Sequence, residues 1–117
     1  MALFSSLFGA KAQNPDTVKI LNPTEYKLAI DSNSVQIVDV RTASEFNQGS
    51  IDKALNIDFF QKNKFIAGFD KLNKEKPVFI YCRSGARSQK AAAKLSAMGF
   101  TKIFDLKGGY MNWPYKN

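Results

Sequence analysis

Pro77-Val78-Phe79-Ile80-Tyr81-Cys82-Arg83-Ser84-Gly85-Ala86-Arg87-Ser88, continued to Met98, changes its hydrophobic period once, and the fold follows from where it does so. The apolar run Pro77–Tyr81 reads as a strand buried on both faces, with proline tolerated at its first position. From Ser88 onward Ala91, Leu95 and Met98 recur at i, i+4 and i+7, with Lys90 and Lys94 on the other side, which predicts a helix. Gly99 is placed to end that helix with a positive φ. The only cysteine of the chain, Cys82, therefore falls where a strand hands over to a helix. In open parallel sheets that carboxyl edge is where ligands bind.

A short loop curling into a helix N-terminus aims several backbone N–H groups at one point, and the helix dipole adds to their pull on an anion. With the Cys82 sulfur at that point, the same donors favour the nucleophilic thiolate over the thiol. Arg83 and Arg87 bracket the loop with two permanent charges, and Gly85 allows a turn that a side chain would obstruct. The competing reading is a buried, inert cysteine between two surface arginines. Against it, no packing requirement gathers a cysteine, two arginines, a glycine and two serines at one strand end.

Composition narrows the chemistry. The chain has 117 residues, enough for one domain with a proper core, and 44% hydrophobic with 13% aromatic residues is a globular composition. It has no histidine, so a Ser-His-Asp triad, a Cys-His pair and an imidazole metal ligand are all excluded. One cysteine likewise excludes an intrachain disulfide, a CxxC pair and a thiolate zinc cluster. No metal is expected, and Cys82 has to be activated by backbone dipoles and arginines. Seventeen Lys and Arg against ten Asp and Glu leave a net charge of +7, suited to anionic substrates or an acidic partner protein, or simply to solubility. The lysines are scattered and no basic–aromatic motif accompanies them, so nucleic acid is not an expected partner.

Along the chain, residues 1–14 are expected to be a flexible segment and 15–117 the folded domain. Leu3, Phe4, Leu7 and Phe8 can share one helical face, and Ala10-Lys11-Ala12 imitates a signal-peptidase site. No basic residue precedes that stretch, and Ser5 and Ser6 interrupt it, which argues against a secretory signal. No stretch approaches a transmembrane span, and a single free cysteine agrees with a reducing cytoplasm. Thr17–Leu21 reads as a first strand, and Asn22-Pro23-Thr24-Glu25 as a capped helix start with Tyr26, Ala29 and Ile30 facing inward. Asp31–Ser34 is expected to be a polar turn and Val35–Val40 a central strand. Thr42–Glu45 is a capping box for a short helix ended by Gly49, and Ala54–Ile57 a short strand. Phe65, Ile66, Phe69 and Leu72 predict a helix packed on the sheet, with Phe59 and Phe60 at its approach. Lys102–Leu106 closes the series of strands, Gly108-Gly109 is a turn expected to come close to the Cys82 loop, and Trp113 is read as core packing. Alternating strands and helices give an α/β fold with a parallel sheet.

The segment Cys82–Ser88 resembles the active-site loop of the rhodanese (thiosulfate sulfurtransferase) family. Three further segments resemble that family in the right order. They are Asp39-Val40-Arg41-Thr42-Ala43-Ser44-Glu45-Phe46, then Gly49-Ser50-Ile51 through Ala54-Leu55-Asn56-Ile57, and Leu106-Lys107-Gly108-Gly109-Tyr110-Met111-Asn112-Trp113. The resemblance implies a single rhodanese-like domain of about five parallel strands with helices on both faces. It implies that Cys82 is the catalytic nucleophile and becomes a persulfide. Thiosulfate, or another persulfide donor, would supply the sulfur, and cyanide, a thiol or a sulfur-acceptor protein would take it. No cofactor is implied. Arg83, Ser84, Gly85, Ala86, Arg87 and Ser88 would bind the donor and hold the persulfide, while Asp39, Arg41 and Glu45 would tie neighbouring loops together as support. The related phosphatases separate their cysteine and arginine by five residues; here four lie between Cys82 and Arg87, a tighter loop that suits a persulfide better than a phosphate. Ser50 stands where the family usually has histidine, which is expected to alter local hydrogen bonding and spare activity. The rival to an enzyme is a persulfide carrier or interaction module. A monomer or weak homodimer without integral membrane association completes the expectation.

Overall fold

The computed structural model describes residues 16–116, so the reading of 1–14 as a flexible segment lies outside the described residues. In chain order the elements are β1 (Val18–Leu21), α1 (Pro23–Ser32), β2 (Gln36–Asp39), α2 (Ala43–Asn47), β3 (Leu55–Asn56), α3 (Lys62–Asp70), β4 (Val78–Tyr81), α4 (Ala86–Ala97) and β5 (Ile103–Leu106). A single turn of 3₁₀ helix, Tyr110–Asn112, follows. The strands form one sheet in the order β1-β5-β4-β2-β3, with every pairing parallel. β4 is the centre, set between β5 and β2 with Ile80 opposite Asp105 on one side and Val38 on the other.

The apolar run of β4 lacks alternation because both its faces are covered. Val78, Ile80 and Cys82 enter one core with Phe65 and Phe69 of α3 and Ala91, Ala92 and Leu95 of α4. Phe79 and Tyr81 enter a second core with Tyr26 of α1, Ile51, Leu106 and Trp113. Two-residue periodicity thus divides one strand between two layers, and helices cover both faces of the sheet as expected from the resemblance. Phe65 and Phe69, one turn apart, are fully buried with ring centroids 4.7 Å apart. Burial of such a pair contributes roughly 3–6 kcal/mol.

Local signals account for most boundaries. Asn22 and Thr42 each cap a helix by accepting from the backbone N–H of Glu25 and Glu45, whose carboxylates return to the cap amides. Three boundaries and the exposure of one side chain differ most from expectation. The α1 helix continues to Ser32 through half of the expected polar turn, because Lys27 pairs with Asp31 at 2.8 Å and Ser32 Oγ donates to the Leu28 carbonyl at 2.6 Å. The α4 helix begins at Ala86, two residues early, because Gly85 serves as its N-cap at φ 111°. The Ala54–Ile57 strand shortens to two residues because the Ala54 amide is spent in a turn, donating to Ile51 O. Ile66, expected to pack on the sheet, is 39% exposed, since it stands about 100° around the helix from Phe65. Among the described residues no helix is long and apolar enough to cross a membrane.

Candidate active site

Cys82 follows β4 directly and starts the loop that Gly85 turns into α4. Its residue position is dictated from two sides. From below, it packs with Val40 and Ala92 and is 1% exposed. From the chain ahead, the Gly85 N–H donates to Sγ at 3.0 Å and the Ser88 N–H at 3.3 Å. The Ser88 hydroxyl stands 3.4 Å from the same sulfur. A loop amide and a first-turn helix amide thus donate to one atom, beside the orphan N–H groups that begin every helix, and the Cys82 thiol in turn donates to Ser88 Oγ. Arg83, Ser84 and Ala86 are exposed, whereas Cys82, Gly85 and Ser88 are buried.

The two arginines of the loop have different surroundings. Arg87 makes a fork to Glu45 of α2, at 2.7 Å to Oε1 and 2.9 Å to Oε2, and its guanidinium lies 5.4 Å from the Phe60 ring centroid. The bond to Arg87 holds the Glu45 carboxyl down to about 2, with partial burial working against it and the Thr42 cap adding to it. Arg87 is thus engaged by a carboxylate and partly buried, whereas Arg83 is exposed.

Asp39 and Arg41 share the carboxyl edge with Cys82 but meet the second core. Arg41 Nε bonds both carboxylate oxygens of Asp39 at 2.9 Å, one guanidinium nitrogen donates to the Gly49 carbonyl at 2.7 Å, and the group stacks 4.5 Å from the Tyr110 ring centroid. Tyr110 N–H in turn donates to Cys82 O at 2.8 Å, and Met111 N–H to Arg83 O at 3.0 Å. The pair thus reaches the loop through the backbone of the 3₁₀ turn. Gly109 makes that approach feasible: at φ 65°, a Cβ there would stand 2.4 Å from Arg83 O and 2.7 Å from Cys82 O. The expectation that this glycine turn closes on the Cys82 loop is met. Ser50 is elsewhere. It lines a cavity of about 560 Å3 with Lys27, Trp113 and Tyr115, a set without any residue of the Cys82 loop.

Sequence reasoning missed Asp105. It lies in β5 and is 2% exposed, with burial pushing its carboxyl from 3.8 up to about 6 against the help of Ser88 and the Leu106 amide. The signal was available: an acid between Phe104 and Leu106 in a predicted strand.

The sequence model described as the rhodanese-like domain matches residues 22–115. Thiosulfate sulfurtransferase GlpE of Shewanella oneidensis is 37% identical over 87 residues, 74% of this chain and 83% of that protein. A tRNA uridine(34) hydroxylase of Pelagibacter ubique is 30% identical over 93 residues, 80% of this chain, yet the chain spans only 31% of that protein's length. Among solved structures, a rhodanese-like domain protein from Staphylococcus aureus superposes with a TM-score of 0.73 at 30% identity, covering 85% of this chain and 96% of its own. By loop, fold and sequence alike, the chain belongs to the rhodanese-like family.

Proposed function

We propose that this chain is a sulfurtransferase that carries sulfane sulfur on Cys82. The observation that supports it best is the convergence of the Gly85 and Ser88 amides on Sγ, a donor set suited to an anion on sulfur. In the first half-reaction the Cys82 thiolate attacks the outer sulfur of thiosulfate. A Cys82 S–S bond forms, the S–S bond of the donor breaks, and sulfite leaves with the electron pair. In the second, cyanide or a thiolate attacks the terminal sulfur of the persulfide, and Cys82 returns as thiolate. Arg83, exposed at the loop, meets the incoming dianion, while the loop amides and Ser88 hold the persulfide. Arg87 acts at one remove, keeping the loop fixed to α2 through Glu45. The sulfurtransferase name of the Shewanella relative, matched over most of both chains, adds support.

Intact mass spectrometry after thiosulfate treatment tests this directly. A gain of one sulfur atom is expected on the wild type and none on Cys82→Ser, and thiocyanate formation should be abolished in that variant. Thiocyanate production by Cys82→Ser at the wild-type rate would remove Cys82 from the mechanism.

A second reading has one observation in its favour: a stretch like this chain is built into a much longer hydroxylase. On that reading the chain is a persulfide carrier serving an acceptor protein. Slow turnover with small thiols, together with a stable complex with a sulfur-handling protein, would select it over the enzyme. Phosphatase activity ranks below both; hydrolysis of aryl phosphates as fast as sulfur transfer would reverse that order.

A further inference from the structure

Two large apolar side chains stand in the open beside the Cys82 loop. Phe60 is 62% exposed and Met111 is 50% exposed. Each is fastened to a different residue of the loop. The Phe60 ring centroid lies 5.4 Å from the Arg87 guanidinium, and the Phe60 N–H donates to Asp58 Oδ1 at 2.9 Å. The Met111 N–H donates to Arg83 O at 3.0 Å, and Lys116 Nζ donates to Met111 O at 3.3 Å. The two arrive from opposite faces of the sheet. Phe59, next to Phe60, packs against the core that contains Cys82, and Tyr110, next to Met111, packs against the other. Of the loop residues between these attachments, Ser84 and Ala86 are exposed, as is Arg83 itself.

We propose that Phe60, Met111 and the exposed loop residues between them form a docking surface for the second substrate, and that this substrate is a peptide or protein thiol set between apolar side chains on a chain of negative charge. Calling it the sulfur acceptor rests on the sulfurtransferase reading above. The donor does not account for the apolar pair: thiosulfate is a hydrophilic dianion, and neither it nor cyanide gains by lying on a phenyl ring or a thioether. A leucine-sized neighbour of an acceptor thiol does gain, by the area it removes from water. Single exposed apolar residues are ordinary on a protein surface, but these two are secured to one nucleophile loop. The partner's charge follows from the cations around them. These are Arg83 of the loop, Lys62 at the start of α3 and Lys116 on the Met111 carbonyl, in a chain of net charge +7. In the transfer step the acceptor thiolate attacks the outer sulfur of the Cys82 persulfide. A new S–S bond forms on the acceptor, the persulfide S–S bond breaks, and Cys82 leaves as thiolate with the electron pair.

The test uses the full chain and pentapeptides that carry one central cysteine as a 2-pyridyl disulfide, so that docking is read without sulfur transfer. The Cys82 thiolate attacks the peptide sulfur, a Cys82–peptide disulfide forms, and 2-thiopyridone leaves with the electron pair and is followed by its absorbance. One peptide has leucine on either side of its cysteine and glutamate at both ends. A second has serine in place of leucine, and a third has lysine in place of glutamate. Each rate is divided by that of the same peptide with glutathione, and Cys82→Ser is the blank. The leucine peptide should label the wild type about tenfold faster than the serine peptide, equivalent to roughly 55 Å2 of apolar surface removed from water. In the double variant Phe60→Ser and Met111→Ser that ratio should fall below about 2, while iodoacetamide, which has no apolar body, alkylates Cys82 at the wild-type rate. The lysine peptide should react more slowly than its glutamate counterpart, most clearly at low salt. Equal rates for the leucine and serine peptides on the wild type would overturn the proposal, as would a tenfold ratio kept by the double variant. A matching loss of iodoacetamide reactivity would overturn it too, because the side chains would then act on the thiol itself. A faster lysine peptide would overturn the partner's charge. Should the peptides separate as expected while thiosulfate adds no sulfur to Cys82, the docking surface stands and the sulfurtransferase reading falls.

Discussion

Replacing Asp105 by asparagine should make the protein more stable at neutral pH and leave it unimproved in acid. The carboxyl titrates at an ordinary 3.8 in the unfolded chain and at about 6 in the folded one, chiefly because it is buried. Between those values the folded state binds more protons than the unfolded state, so the free energy of unfolding falls as pH rises. The interval is roughly two pH units, each equivalent to about 1.4 kcal/mol, so the wild type loses on the order of 3 kcal/mol between about pH 4 and about pH 7 through this group. Asparagine does not titrate and loses none of it. Every other titration is common to both proteins and cancels in the difference. Urea unfolding at a series of pH values, followed by the fluorescence of the single tryptophan, Trp113, which is buried at 5% exposure, measures both curves. The stability difference between variant and wild type should grow by about 3 kcal/mol across that range. A difference that stays constant would mean that the folded carboxyl is already ionised in acid, and the account of Asp105 given above would be wrong.

Three further outcomes follow from the same geometry. Gly109→Ala should cost more than Gly85→Ala, although both have positive φ. A Cβ at 109 meets Arg83 O at 2.4 Å, whereas one at 85 meets nothing within 4 Å, so the second costs only the backbone strain of about 1–3 kcal/mol. Sulfur transfer should accordingly collapse in the first and survive in the second, as parallel denaturation and turnover assays would reveal. Glu45→Gln removes the anion that holds Arg87; after allowance for partial exposure it should destabilise by about 1–2 kcal/mol at pH 7. The Glu45 carboxyl is depressed from 4.5 to about 2, so its stabilisation is fully present above 4.5 and fades as pH falls toward 2. Wild type and Glu45→Gln should therefore approach equal stability in strong acid, and a gap that widens there would contradict the pairing. Finally, Arg83→Ala should raise KM for thiosulfate with little change in kcat, because its side chain is exposed and meets the donor without holding the loop. A fall in kcat alone would place Arg83 in the chemistry instead.

Much of this molecule was legible before any coordinates. The period change around Cys82 marks a strand-to-helix junction, and Asn22, Thr42 and Gly99 announce helix ends, because each signal acts over only a few residues of chain. Four motifs in register identified the family and with it the parallel sheet. Even the close approach of Gly109 was readable, since a pair of glycines after a strand answers to a local backbone need. Partnership across the sheet was not. Nothing near Arg87 in the chain announces that α2 brings Glu45 against it from 42 residues away. Asp105 reads as one polar residue in a strand until β5 pairs with β4 and the carboxyl is closed off from water. The charge a side chain carries depends on how far it is removed from water and on what lies opposite. Both are set by segments distant in sequence, so the chain alone determined where the thiol stands in the backbone, and only the packed structure decided which groups surround it.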